Sequence, residues 1–435
     1  MVVPAPVVEF AFGDNAFATS PTWVNSSSRV RQVQIDRGRT DPFQPFAPSV
    51  CVIELDNNDG ELDPFNLSGT YVDGGGATEI TPGTQVRVRS TTTGAVGALF
   101  QGFVDTWNLR DSFKGDSWVD VTCVDGLSIL GRYTITDATD VGTVSTLSDG
   151  NQYLVDDAAT LIEAVLDHVG WPSAWQSIDA DLIDEVSLPV GSNDTTEVSW
   201  NALALIQRIC DAAYAQMYIG PQGVLNVISR YDLVTATRHT TAQVTLDDDA
   251  TYGASTLAWT GVDAGNDLLL TRNRVSVSWG TLYDNGVEVE SGSYSTQDAT
   301  SVTRHGVLEY ARGDSVLVDT EASKVISDWL LGVWKDPIAR VRSVSIQVTE
   351  ASGTAYHNNA VNRQILDRIR VRATPTSGDR WDFYGLIEGI QHTISTRRWE
   401  TTWTLSPAEA VGFGTGDWLE FDVAGSGFDQ ADYST

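Results

Sequence analysis

One stretch of this chain is written twice. Val86 to Asp105 reads VRVRSTTTGAVGALFQGFVD, and Ile369 to Glu388 reads IRVRATPTSGDRWDFYGLIE. The two align without a gap over 20 positions, seven of them identical: Arg87/Arg370, Val88/Val371, Arg89/Arg372, Thr91/Thr374, Thr93/Thr376, Phe100/Phe383 and Gly102/Gly385. Val86/Ile369, Phe103/Leu386, Val104/Ile387 and Asp105/Glu388 are conservative. Each copy alternates apolar and polar residues, breaks at a Thr/Gly-rich turn and resumes as an aromatic-x-Gly-apolar strand, which is a β-hairpin pattern. A further alternating strand follows each copy, at Val119, Val121 and Cys123 and at Trp399, Thr401, Trp403 and Leu405. Strand and turn chemistry narrows residue choice, so short strands can resemble one another by chance. The other reading is one β-domain present twice, near the two ends of the chain. Two such domains per chain double the order of any ring it forms, so a trimer would present six similar units.

The remaining composition bounds the answer. A length of 435 residues suggests about three domains, and 41% apolar with 9% aromatic residues can build large cores. Fifty-eight acidic against 27 basic residues give a formal charge of −31. Such a surface repels nucleic acid and anionic membranes. It reads either as plain solubility or as an acidic wall past which DNA slides. Cys51, Cys123 and Cys210 are far apart in apolar patterns, which predicts buried free thiols and no disulfide framework. The opening MVVPAPVVEFAFG predicts no signal peptide, and no run of 18 apolar residues predicts a membrane span.

Taken in order, residues 1–134 read as a β domain holding the first copy. The run Asp56-Asn-Asn-Asp-Gly60 reads as a turn. As a calcium loop it would have its glycine one position early, and whether the Asp56 to Asp63 stretch holds an ion is left open. Residues 134–152 read as a loop or boundary. Residues 153–235 read as an α+β unit. Its first helix is capped by Asp156 or Asp157 and stopped by Gly170 and Pro172. Its second is capped by Ser199, with Trp200, Leu203, Ile206 and Cys210 on the buried face, and a hairpin follows around Gly220-Pro-Gln-Gly223. Residues 236–318 read as β-rich, with a hairpin turn at Asp284-Asn-Gly286. Residues 319–410 begin with a helix from Asp319 to Trp334, whose Ala322, Val325, Ile326, Trp329, Leu330 and Val333 share one face, and end with the second copy. Residues 411–435 read as an acidic extended tail.

The chain contains no phosphate-binding or dinucleotide fingerprint, no G-x-S-x-G, no H-E-x-x-H and no C-x-x-C. His168, His239, His305, His357 and His392 are isolated from one another. The sequence therefore assigns no catalytic, cofactor-binding or metal-ligating residue. Alternating Arg87/Arg89 and Arg370/Arg372 either meet carboxylates or face water.

A family resemblance enters through the opening region. Ala11-Phe-Gly-Asp14, Trp23-Val, Val30-Arg-x-Val-x-Ile35, Arg37-Gly-Arg39, Leu55-Asp-Asn-Asn-Asp-Gly-Glu-Leu-Asp-Pro64, Val86-Arg-Val-Arg89, Phe100-x-Gly-Phe103 and Val124-Asp-Gly-Leu127 resemble minor tail proteins of long-tailed actinobacteriophages. The Ser199-Trp200 segment, Asn273-Arg-Val, the Asp319 to Trp334 helix and Thr402-Trp-Thr-Leu-Ser-Pro407 resemble the rest of the same architecture, over roughly residues 8–410. The resemblance implies the baseplate-hub fold: α+β and mainly β, with two tube-like β-barrel or sandwich domains interleaved with smaller α+β domains. It implies a homotrimeric, non-enzymatic structural protein of the virion tail tip, forming part of the DNA-ejection channel. Its partners would be the distal tail ring, the tape measure protein and tip or receptor-binding proteins. One departure stands out: Ile365-Leu-Asp-Arg368 lacks the glycine that related chains carry before the Asp, which puts the turn there in doubt. The rival reading is a receptor- or carbohydrate-binding, even carbohydrate-cleaving, tail or secreted β-protein.

Overall fold

The computed structural model describes residues 4–92, 95–112, 115–146, 151–192, 196–248, 256–284, 287–313, 316, 320–337, 339–349, 353–374 and 380–408. The expected turn at 285–286 and the expected tail from 411 lie outside these residues.

Seven strands come first: β1 (Pro6–Ala11), β2 (Val24–Asn25), β3 (Val30–Gly38), β4 (Val50–Asp56), β5 (Gln85–Thr92), β6 (Ala95–Asp111) and β7 (Ser117–Val124). The middle of the chain holds α1 (Leu127–Leu130), β8 (Thr134–Asp137), β9 (Val144–Thr146), β10 (Asn151–Asp157), α2 (Ala158–Val169), β11 (Gln176–Ile178), β12 (Glu185–Ser192), β13 (Glu197–Asn201), α3 (Ala202–Ala213), β14 (Gln216–Ile219), β15 (Leu225–Ile228), α4 (Arg230–Thr235) and α5 (Thr237–Thr240). Then come β16 (Thr245–Asp247), β17 (Thr256–Ala258), β18 (Gly261–Asn266), β19 (Arg274–Asp284), β20 (Val287–Gln297), α6 (Ala299–His305), β21 (Glu309–Arg312) and α7 (Thr320–Trp334). The chain closes with β22 (Ala339–Val348), α8 (Gly353–Asn362), β23 (Arg368–Ala373), β24 (Trp381–Ser395) and β25 (Trp399–Pro407). The fold is α+β and mainly β.

Among the described residues fourteen strands form one sheet, and that sheet is two seven-stranded units. The first runs β2-β1-β5-β6-β7-β4-β3 in space; the second runs β17-β16-β23-β24-β25-β22-β18. Numbered along the chain, both follow the same order, so each strand of one unit has a counterpart in the other. One direction differs: β1 is antiparallel to β5, whereas β16 is parallel to β23. The units are joined where β24 pairs with β3.

The alternation that marked these strands decides what is buried. Val8, Phe10, Ile35, Ile53, Val88, Phe100 and Val121 of the first unit share one core with Leu246, Val344, Ile346, Val371, Ile390, Trp399 and Trp403 of the second. Trp399 and Trp403 are 0% exposed; full burial of one large apolar side chain stabilises by about 1.5–3 kcal/mol.

A second core collects the middle of the chain. Asp157 caps α2 by accepting from Thr160 N at 2.8 Å. Leu161, Ile162, Val165 and Leu166 are buried, and Gly170 ends the helix at φ +77°. The next helix starts later than the sequence suggested. Ser199 and Trp200 belong to β13, where Trp200 pairs with Ile135 of β8, and Asn201 is the cap, accepting from Ala204 N at 3.0 Å. An Asn beside Ser offers an equally good cap, and strand pairing decides between them. Residues 134–146 are likewise no plain loop, because β8 and β9 lie there, paired with β13 and β10. Segment 236–318 is shared between the cores: β16 to β18 join the large sheet, while β19 to β21 form a separate sheet against which α7 packs.

Candidate functional site

The two copies of the repeated stretch pair alike around the aromatic-x-Gly segment, although β5–β6 takes a register shift past Val88 that β23–β24 lacks. In β5–β6, Val86 faces Gly102 and Val88 faces Phe100; in β23–β24, Ile369 faces Gly385 and Val371 faces Phe383. Each glycine lies under the ring two residues before it. A Cβ on Gly102 would sit 2.9 Å from Phe100 Cζ, and one on Gly385 2.9 Å from Phe383 Cε1. Each copy then meets the following strand with one register shift, after Val104 in β6–β7 and after Ile387 in β24–β25. Asp105 and Glu388 occupy this bulge. A bulge bends its strand and re-aims its edge, and here it carries the strand off its first neighbour.

In the second unit the bent half of β24 takes β3 as its new neighbour. Gly389 faces Gly38, His392 faces Ile35 and Ser395 faces Gln32. The junction is closed by a buried ion pair: Arg39 Nε donates to Glu388 Oε2 at 2.8 Å, and Ser406 Oγ donates to Glu388 Oε1 at 2.6 Å. The Arg39 guanidinium also lies over the Phe46 ring, 4.1 Å from its centroid. Gly38 has φ +102°, and a Cβ there would meet the Glu388 carbonyl oxygen at 2.2 Å; only glycine fits this crossing. Further along the pairing, His392 is wholly buried and its pKa is pushed down to about 3 by burial and the nearby Arg37. Nearby in the first unit, burial pushes Asp125 up to about 6, although its carboxylate accepts from Ser49 N and Leu127 N.

The repeated arginines do meet carboxylates. Glu9 of β1 accepts from Arg87 Nε at 2.7 Å and from Arg89 Nη2 at 2.5 Å. Arg372 approaches Asp247 of β16, and Arg370 pairs with Asp382. These contacts lie within the chain; those to Glu9 and Asp247 tie an outer strand of each unit to its hairpin, and Arg370–Asp382 lies within the hairpin.

The Asp56 to Asp63 stretch is a succession of side-chain turns. Asp56 Oδ1 accepts from Asn58 N, Asp59 Oδ1 from Glu61 N and Asp63 Oδ1 from Phe65 N. Arg31 holds Asp56 below the usual carboxylate range, and Arg29 does the same to Asp59. Among the described residues no three His, Cys, Asp or Glu side chains gather as a metal-ligand group. Where the two cores meet, a cavity of about 130 Å³ is lined by Phe43, Tyr214, Trp329 and Trp334, with Arg39 and Arg312 at its polar side. Its charges are already used: Arg312 donates to Tyr310 Oη at 2.8 Å and lies over the Tyr214 ring. Burial pushes the Cys210 thiol up, away from nucleophilic reactivity. The cavity reads as a joint between cores. Among the described residues, no helix is long and apolar enough to cross a membrane.

The sequence pointed to the repeat and to its arginines. It did not point to the junction, although the aligned Asp105/Glu388 carboxylates marked the bulge that makes it.

Two solved structures share this fold along nearly the whole chain. The 43 kDa tail protein of prophage MuSo2 from Shewanella oneidensis gives a TM-score of 0.54 at 11% identity, over 94% of this chain and 99% of that one. A tail protein from Neisseria meningitidis MC58 gives a TM-score of 0.52 at 13% identity, over 92% and 96%. No protein-family model and no curated protein matches the chain. What is shared at these identities is the fold.

Proposed function

We propose that this chain is a structural protein of a phage virion, three copies of which form a hub at the tail tip. The observation that carries the reading is the duplicated seven-stranded unit: three chains bring six such units, enough to continue a sixfold tail tube and hand over to threefold tip parts. The tail-protein fold along 94% of the chain supports a place in a tail. In this reading the two units of each chain are its tube-like domains and the middle core is an outer support. The distal tail ring lies above, tip or receptor-binding proteins lie below, and the tape measure protein and then DNA occupy the channel. A formal charge of −31 lets DNA pass a wall that does not hold it. The role is assembly, with no reaction assigned.

The test is position on the particle. Gold-labelled antibody against this chain, viewed by electron microscopy, is expected at the tail tip and on the axis. Label on side fibres would replace the hub with receptor binding. Protein free in the medium, with no label on particles, would return the reading to a secreted carbohydrate-active protein.

A further inference from the structure

The two units are alike, yet only one of their two equivalent edges is covered. In the second unit the bent half of β24 pairs with β3, the last strand of the first unit. The counterpart of that bent half is Thr106–Asp111 of β6, which leaves β5 after Phe103 and pairs with β7 alone. The counterpart of β3 is β18, which pairs with β22 alone. Among the described residues, neither backbone edge has a second strand. One chain thus carries both halves of a junction it has already made once internally.

Burial tells the same story. Across the covered junction the inward residues Ile390, His392, Ile394, Val33 and Ile35 are 0–1% exposed. Four of their counterparts at the open edges, Trp107, Leu109, Val262 and Ala264, face the same core but are only half-buried, and the fifth, Asp111 in place of Ile394, is exposed and charged. An uncovered edge that keeps its apolar face is a template for another strand.

We infer that β6 of one copy pairs antiparallel with β18 of the next, repeating the β24–β3 junction between chains. This deepens the trimeric reading above and rests on it for the number of copies. The register follows from the internal junction. Ile394 faces Val33, so Asp111 faces Val262; Thr393 faces Gln34, so Arg110 faces Asp263; His392 faces Ile35, so Leu109 faces Ala264. The pairing is head-to-tail, β6 edge to β18 edge, and closes when the last copy meets the first. Charge agrees with the register. Arg110 pairs with Asp120 at 3.1 Å and Asp263 with Arg342 at 3.3 Å within the chain, yet each keeps more than half of its side chain exposed, at 56% and 59%, and the two carry opposite signs. Opposite charges directly across an antiparallel pair attract, and like charges there repel.

The test places a thiol on each edge, Arg110→Cys with Asp263→Cys in one chain. Cys51, Cys123 and Cys210 are buried, so the introduced thiols are the accessible ones among the described residues. A short bismaleimide is added to the full-length protein, products are read on a denaturing gel, and the native mass of the parent protein is measured by light scattering. A trimeric native mass with a ladder ending at three chains, absent from either single variant, is the expected result. A trimeric mass without the ladder overturns the strand pairing and leaves the ring standing. A ladder that stops at two or runs past three keeps the pairing and overturns the trimer. A monomeric mass with no cross-link overturns both. Charge reversal gives an independent reading. Arg110→Glu or Asp263→Arg alone weakens association roughly fivefold per contact, and the two together restore it; singles that associate like the parent overturn the register.

Discussion

Removing the carboxylate of Glu388 separates a buried junction from an exposed one at the same position of the same repeat. The Arg39 and Glu388 side chains are 9% and 4% exposed. The equivalent bulge residue, Asp105, pairs with Arg132 at 2.6 Å, with side chains 69% and 32% exposed (Arg132 first). Glu388→Ala leaves the largely buried Arg39 charge with no carboxylate partner, which costs about 3–5 kcal/mol. Asp105→Ala breaks a screened surface pair and costs about 1 kcal/mol or less. At a urea slope near 3 kcal/mol/M the two midpoints then differ by roughly 1 M. The assay is urea unfolding followed by tryptophan fluorescence, at a concentration where the chain is monomeric. Trp399 and Trp403 lie in the core beside the junction. Adding Arg39→Met to Glu388→Ala removes the stranded charge, so the double variant is expected to lose about 2 kcal/mol less than the sum of the singles. Glu388→Ala within 1 kcal/mol of Asp105→Ala, or additive singles, would refute the view that a buried ion pair locks β3 to the bulge.

Two other perturbations follow from the same region. His392, pushed down to about 3, stays neutral in the folded chain while the unfolded chain takes up a proton below about 6.5, so its contribution is lost as pH falls from 6.5 towards 3. Asp125, pushed up to about 6, has the opposite sign: the folded chain holds a proton that the unfolded chain gives up, so its contribution grows as pH falls from 6 towards 4. The two offset one another between pH 4 and 6. Asp125→Asn is therefore expected to lose about 1.4 kcal/mol per pH unit more steeply than the parent in that window, and His392→Gln to lose less steeply, both read from urea midpoints across pH. Leu366 sits at φ +68°, where the resemblance led one to expect glycine. The strain is about 1–2 kcal/mol, but the side chain is 2% exposed and its removal costs about 2–5 kcal/mol. Leu366→Gly is thus expected to destabilise by roughly 1–3 kcal/mol in calorimetry, despite relaxing the backbone.

What the sequence made legible was local and periodic. The hairpins at Val86 and Ile369, the helices ending at Gly170 and Trp334, and the Gly223 turn all carry their reasons within a few residues. Leu366 shows the limit of a family pattern: the left-handed backbone is retained without the glycine, because His239 Nδ1 and the Leu366 carbonyl meet at 2.7 Å and the Leu366 amide donates to Ile387 O. Ser199 has neighbours that favour a helix, yet β8, more than 60 residues away, offers Trp200 a strand partner. The same holds at larger scale. β16 to β18 belong with β22 to β25 although the β19–β21 sheet and α7 are inserted between β18 and β22, and no local pattern records that pairing.

The duplicated order of strands is what makes the assembly question answerable from one chain. A single unit would show a free edge and no indication of what fits it. Two copies with the same bulge, one covered and one open, are what the inferred partner and register rest on. The covered copy shows what a completed edge requires: Gly38 where backbones cross, full burial of Val33 and Ile35, and a charge pair at the bend. At the open copy the bend carries Asp105 paired outward to Arg132, and the half-exposed Arg110 further along the strand pairs with Asp120. The contact within the chain is therefore the one built to be permanent. In the pairing inferred above, the contact between chains would rest on the half-buried Trp107 and Leu109.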